Sequence, residues 1–350
     1  MTTVLTFKSD AIVNEHISEA DLRAYVVGFD LGEFRYDKTV DIFLDGIVDF
    51  AFGYHEGILT ESYNKRILVE AAKSIYKIKT NTTAGELEIF NEAKKHYVDN
   101  DLDYDDDVEE KYLKRGEFGE LILHILSRDF LKTIPLISKI YFKDADGVTV
   151  HGFDSVHIGP CIGEPGRQSL YLGESKLYND GAKGVKALIE DIKSHFNLDF
   201  LEREFVLISK RKSSFSLPED IINPDKKEAY QSFLKEKDDW LVKLGDIQSG
   251  KVKMEEVLKC ITVPVLCTYT SEVFNKHNDE GAEAFKKEYE EEIRKLKEIF
   301  DEKLQSIRGE GDVNARVKTN LNILLMLFPV PSKKELVKRL HIKLNHQQNA

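Results

Sequence analysis

Cysteine is scarce in this 350-residue chain: Cys161, Cys260 and Cys267 are an odd number with no CxxC spacing, so neither a disulfide framework nor a zinc site is indicated. Long hydrophobic runs are missing too. The densest, Ile323–Phe328, is far shorter than the ~20 residues that cross a bilayer. The opening MTTVLTFKSD lacks a basic stretch followed by an apolar one, so no signal peptide is evident, and the expected location is cytoplasmic with no membrane contact. There is no P-loop, no GxSxG elbow and no GxGxxG between a strand and a helix, which leaves nucleotide binding and serine hydrolysis without their motifs. Positive charge is also short. Lys and Arg number 50 against 62 Asp and Glu, a net charge of −12. Nonspecific DNA affinity comes largely from phosphate contacts by Lys and Arg, so a free-standing, tight DNA binder is not expected.

What is present suits a soluble globular protein, with 41% hydrophobic and 32% charged residues. The length allows one elaborated domain or two smaller ones. The most informative stretch is TVHGFDSVHIGPCIGEPGRQSLYLGESKLYN, from Thr149 to Asn179. It alternates as two strands, Val148–Ile158 and Ser169–Tyr178, around a link rich in Gly and Pro. Residues two apart on a strand share a face, so Glu174 and Lys176 project together, and Asp154 on the neighbouring strand comes level with them. Burying such groups unpaired costs several kcal/mol, which a divalent cation offsets. Mg²⁺ takes one or two carboxylates and leaves its other positions to water and substrate phosphate, while a nearby Lys orients the attacking water and steadies negative charge. Those are the parts needed for phosphodiester hydrolysis. The plain alternative is an exposed Glu–Lys pair on one strand.

Context favours the chemistry. RGEFGELILHILSRDF before the strands carries Phe118, Leu121, Ile122, Ile125 and Leu126 at helical spacing, and GAKGVKALIEDIKSHF after them carries Ala182, Val185, Ile189, Ile192 and Phe196. With a further strand at Ile137–Lys143, the order is helix, three strands, helix. This order, with Asp154 followed by Glu174-Ser175-Lys176, resembles the PD-(D/E)xK, restriction-endonuclease-like nucleases, although Phe153 stands where their signature has Pro. The resemblance implies an α/β fold with an αβββα core and a mixed central sheet. It also implies Mg²⁺ as cofactor, with Mn²⁺ able to substitute, and a Glu near the start of the first helix joining Asp154 and Glu174 at the metal. Family likeness points to Glu120 for that role; helical phase keeps Glu117 as the alternative. The segments GEFGELILHILSRDF, GFDSVHIG, YLGESKLYNDG and LFPVPSKKELV are similar to the HamA family, nuclease-like subunits of the Hachiman anti-phage defence system. That likeness implies a DNA nuclease that works with, and is restrained by, a large HamB-like helicase. A binding or regulatory subunit with an inert site, and an interaction scaffold, stay open beside it.

The remaining candidates are weaker. Tyr178 shares the face of Lys176 and either touches substrate phosphate or packs. Lys183, Lys186 and Lys193 flank the stripe of the following helix and offer a DNA contact, or simply a solvated face. His151 and His157 lie at odd offsets from Asp154 and point to the opposite face, as packed or hydrogen-bonded imidazoles; His124 is a possible neighbour of the site.

Residues 1–98 read as a mainly helical N-terminal region, with mixed strand and turn to residue 35, a helix over Val40–Tyr54, another over Leu68–Ile78, and a capping box at Thr83–Glu86. Residues 99–112 form an acidic linker. Its DNDLDYDDDVEE imitates a calcium loop but has Tyr104 where the sharp turn needs Gly. Residues 113–350 make the nuclease domain with C-terminal strand and helix additions. There we expect strands at Glu204–Ile208, Ile261–Tyr269 and Val317–Leu327, the last ended by Pro329, and helices at Lys226–Leu244, Glu280–Ile307 and, capped by Ser332, Lys333–Leu344. The narrow stripe of Glu280–Ile307 suits the domain surface, a partner, or a coiled coil.

Overall fold

The computed structural model describes residues 11–57, 65–75, 116–138, 152–210, 222, 224–308, 318 and 320–349. The chain starts with a hairpin, β1 (Val13–Ser18) and β2 (Leu22–Val27), then a small ribbon, β3 (Phe29–Asp30) and β4 (Glu33–Phe34). Helices α1 (Tyr36–Asp45), α2 (Ile47–Phe52), α3 (Tyr54–Gly57) and α4 (Lys65–Ile75) follow. Next come α5 (Glu117–Phe130), β5 (Ile134–Ile137), β6 (Ser155–Pro160), β7 (Gln168–Tyr178) and α6 (Gly181–His195), the expected αβββα order. The chain finishes with α7 (Leu198–Lys210), α8 (Lys227–Gln248), α9 (Met254–Leu258), β8 (Ile261–Thr270), α10 (Val273–Lys276), α11 (Glu283–Arg308), β9 (Asn322–Val330) and α12 (Lys333–Gln348).

Seven strands form one sheet in the order β1-β2-β9-β8-β7-β6-β5. It is mixed: β5, β6 and β7 run antiparallel, as do β1 and β2, while the joins β7–β8, β8–β9 and β2–β9 are parallel. Alternation along the central strands separates two cores. Val263, Val265, Cys267, Ile323, Leu325 and Leu327 face α6 and α11, whereas Leu266, Leu324, Met326 and Phe328 face α1, α2, α5 and α12. Strands buried on both faces need covering layers on both sides, which is why β8 and β9 read as nearly unbroken apolar runs.

The hairpin β1–β2 extends the central sheet, so the described part of the N-terminal region lies on the core, one of the arrangements the sequence left open; the capping box, the acidic run and His151 lie outside the described residues. Several expectations are corrected. Residues 204–208 belong to helix α7, not to a strand. Their local β-branched look is overridden by Leu201, Phe205 and Ile208, buried at helical spacing. The helix expected over Val40–Tyr54 is interrupted at Gly46 and again at Gly53, where propensity is poor. The strand placed at Ile137–Lys143 is Ile134–Ile137, with residues 139–143 outside the described set; of the one placed at Val148–Ile158, residues 148–151 lie outside the described set and the described strand runs from Ser155. Strand β9 runs on through Pro329 to Val330. Its pairing with β2 stops at Leu327, so the missing N–H of Pro329 breaks no ladder there. The stripe of α11 is used within the chain: Phe285, Tyr289, Ile293, Leu296, Phe300 and Leu304 are buried in the core shared with α6.

Candidate active site at the β6–β7 edge

The ladder between β6 and β7 runs from Pro160 opposite Gln168 to Ser155 opposite Gly173. One residue farther, Asp154 stands level with Glu174, and its N–H donates to the Gly173 carbonyl at 3.0 Å. Beyond this point β7 runs on past the start of β6. There the Asp154 carboxylate meets it: Oδ2 accepts from the Ser175 N–H and from the Ser175 hydroxyl, each at 2.8 Å. Thus Asp154 is tied to the stretch of β7 that carries Glu174 and Lys176. Ser175 points to the other face, where α5 comes close. A Cβ on Gly119 would stand 3.0 Å from the Ser175 Oγ, so Gly119 permits the approach that brings Glu120 to the site.

Glu174 and Lys176 face α6. The Glu174 Oε1 is 2.7 Å from the His195 Nδ1, and the Lys176 Nζ is 2.5 Å from Asp191. Glu174 is 2% exposed. Burial raises its pKa well above the usual carboxylate range, and the negative charges of Asp154, Asp191 and Glu120 push it further, with only partial relief from Lys176. Burial works against the Lys176 ammonium, but the bond and charge of Asp191, then Asp154 and Glu174, hold its pKa above normal. A lysine held so is a fixed positive charge rather than a proton acceptor.

The donor set of Asp154, Glu174 and Glu120 is all carboxylate oxygen, the choice of a hard divalent cation, and the crowding of Asp154, Asp191 and Glu120 around buried Glu174 fits one. As placed, however, the carboxylates are engaged by Ser175 and His195, and among the described residues no three His, Cys, Asp or Glu side chains are grouped closely enough to hold an ion. The chemistry of the donors fits; their present rotamers would have to turn to bind.

Glu120 is buried in the first turn of α5, and Glu117 is half-buried at its first position. Tyr178, half-buried at the end of β7, packs on α6: a Cβ at Gly184 would lie 3.2 Å from its own Cβ. Lys183, Lys186 and Lys193 are exposed on α6. The sequence reading missed Ser175, Asp191 and His195. The last two sit four apart on a helix expected to follow the ExK strand, and that spacing was the available signal.

A second polar cluster lies on the α5 side of the sheet. Asp49 of α2 accepts from the Arg128 guanidinium at 3.0 and 3.2 Å and pairs with the His124 Nε2 at 2.9 Å; His124 Nδ1 meets His157 Nε2 at 3.0 Å, and His157 Nδ1 meets the Thr133 hydroxyl at 2.8 Å. All are buried. His157 is therefore the hydrogen-bonded imidazole expected, and His124 belongs to this cluster. Burial, then His124, drives the His157 pKa well below the usual value, and burial, then Lys237, takes His55 down to about 4.

Folded imidazoles that refuse protons lose stability as pH falls below ~6.5, where the unfolded chain takes them up, at up to roughly 1.4 kcal/mol per pH unit for each group. Glu174 works in the opposite direction, and so do Glu236 and Glu292, whose pKa values burial also raises. The histidine contribution is therefore read as a difference: between pH 7 and pH 5 the thermal midpoint of His157→Gln should fall less, or rise more, than that of wild type, and an equal change in both would contradict the assignment.

A HamA family model matches residues 3–344 of the 350. No curated protein and no solved structure matches significantly. A match over nearly the whole chain is decisive on this point: the chain belongs to the HamA family, and that membership supports an anti-phage defence role of the Hachiman type.

Proposed function

We propose that the chain is a metal-dependent deoxyribonuclease that works with, and is restrained by, a helicase partner of the HamB kind. The observation that carries this reading is the convergence of Asp154, Glu174 and Lys176 where β6 leaves β7. Asp154 and Glu174, with Glu120 beside them, are the residues to hold Mg²⁺, or Mn²⁺ in its place. A bound divalent cation supplies an activated water and Lewis-acid stabilisation of the leaving oxygen. Lys176, kept charged by Asp191, places a positive charge where negative charge grows on the scissile phosphate. Exposed Lys183, Lys186 and Lys193 provide a modest DNA contact, and with a net charge of −12 the rest of the grip falls to the partner.

The hydrogen bonds that occupy Asp154 and Glu174 favour a second reading, a nuclease fold kept as an inert regulatory subunit. The two separate on incubation of linear and supercoiled DNA with Mg²⁺ or EDTA, with and without the helicase. The nuclease reading expects cutting that needs the cation and that falls roughly 1000-fold in Asp154→Asn, the scale of losing one stabilising group in such a site. Absence of cutting in every combination would leave the regulatory reading.

A further inference from the structure

We propose that Asp191 and His195 of α6 are positioning residues that fix the side chains of Lys176 and Glu174 in their working orientation. The proposal rests on the nuclease reading above and adds to it the part of the fold that holds the ExK pair still. The two residues stand four apart and so share one face of the helix, the one turned to β7. Each engages a different member of the pair, Asp191 the ammonium and His195 the carboxylate. One rigid element thus sets both groups relative to each other.

The helix itself is held in register. Asp180 caps its N-terminus by accepting from the Lys183 N–H at 3.0 Å. At Gly184 a Cβ would come 2.4 Å from the Cys267 sulfur, so α6 lies on β8 without room to slide. The imidazole is held as well: His195 stacks on Phe200, with centroids 4.8 Å apart and planes 14° apart, which leaves Nδ1 aimed at Glu174. Phe200 in turn packs edge-on against Phe153, whose ring also meets Phe196 at 5.1 Å. Phe153 is buried and precedes Asp154 directly. At the position where the nuclease signature has Pro, this chain therefore has an aromatic anchor that ties Asp154 to the same α6–α7 corner as His195.

A structural role has to be separated from this one. The His195 and Lys176 side chains are 26% and 29% exposed but their partners Glu174 and Asp191 only 3% and 17%, so each half-buried pair contributes to stability as well as to placement. Holding two flexible side chains near reacting atoms has a large effect on rate, since a misplacement of about 1 Å costs on the order of 100-fold.

The test is single-turnover cleavage at saturating DNA with Mg²⁺ and the helicase partner, together with DNA affinity, melting temperature, and ring ¹⁵N spectra of the metal-free protein. We expect His195→Ala to lower the rate of the folded protein on the order of 100-fold with unchanged DNA affinity. His195→Asn, whose amide can donate from the place of Nδ1, should recover most of the rate. Asp191→Ala should lose a similar factor, and the metal-free wild type should show His195 protonated at Nδ1. A His195→Ala rate equal to wild type overturns the proposal, a faster one makes α6 a restraining latch instead, and equal losses in Ala and Asn with a lowered midpoint make the contact merely structural. If wild type itself does not cut, the nuclease reading fails and the proposal falls with it; cutting by wild type with any of the other outcomes removes the proposal alone.

Discussion

Glu174→Gln is expected to abolish DNA cleavage while making the protein more resistant to heat. The carboxyl is buried beside Asp154, Asp191 and Glu120, and ionising it there works against the fold. The sign follows from linkage: a carboxylate whose folded pKa is raised contributes stability only while protonated, and that contribution is lost as pH rises through the folded value. The amide is isosteric, carries no charge, and still has both a donor and an acceptor for His195. Relief of such strain at functional sites commonly adds on the order of 1 kcal/mol, which a thermal melt at pH 7 resolves. On the proposed function, cleavage should fall by roughly 1000-fold or more, because the substitution removes both the proposed cation ligand and the charge balance of Lys176. A Glu174→Gln protein that melts lower than wild type would show that the charge is already compensated within the fold.

The second large effect lies on the opposite face. Arg128 is held between Asp49, at 3.0 Å, and Asp129, at 2.6 Å, all three buried. Burial opposes ionisation of Asp49, but Arg128 and then His124 hold its pKa well below the carboxylate range, so its stabilising charge persists at any pH above the unfolded carboxylate value and is lost only in strong acid. Arg128→Met would leave two buried carboxylates short of their cation. Breaking a buried pair in this way costs about 3–5 kcal/mol, and with two anions affected the upper end is expected. Because Asp49 is on α2 and Arg128 on α5, the loss should also loosen the N-terminal helices from the core, visible as faster amide exchange in α2 before global unfolding. A variant within 1 kcal/mol of wild type by denaturant titration, roughly the median for an exposed pair, would mean that the network is more hydrated than its burial implies.

Much of the central fold was legible because its signals are local. The stripe Phe118, Leu121, Ile122, Ile125 and Leu126, the alternation through Glu174 and Lys176, and the cap at Ser332 each lie within a few turns of chain, and each element formed where its period placed it. The pairing of β2 with β9 was not legible. It joins residues about 300 apart, and neither strand carries a mark naming its partner. The level position of Asp154 with Glu174 followed from strand parity, but not the reason for it, because the point at which β6 leaves β7 depends on register. The same holds for Asp49, Arg128 and His124. Each reads as an ordinary polar residue until two segments far apart in the chain, the helix of Asp49 and the helix of His124 and Arg128, are folded together.

The central claim, that Lys176 with Asp154 and Glu174 forms a working nuclease centre, is tested most directly by comparing wild type with Lys176→Ala in single-turnover cleavage of DNA with Mg²⁺, each alone and with the helicase partner. Lys176 supplies a fixed charge to the site, so the variant, checked for folding by its melt, should bind the partner and cut on the order of 100- to 1000-fold more slowly. A Lys176→Ala protein that cuts as fast as wild type would contradict the account and place the chemistry elsewhere.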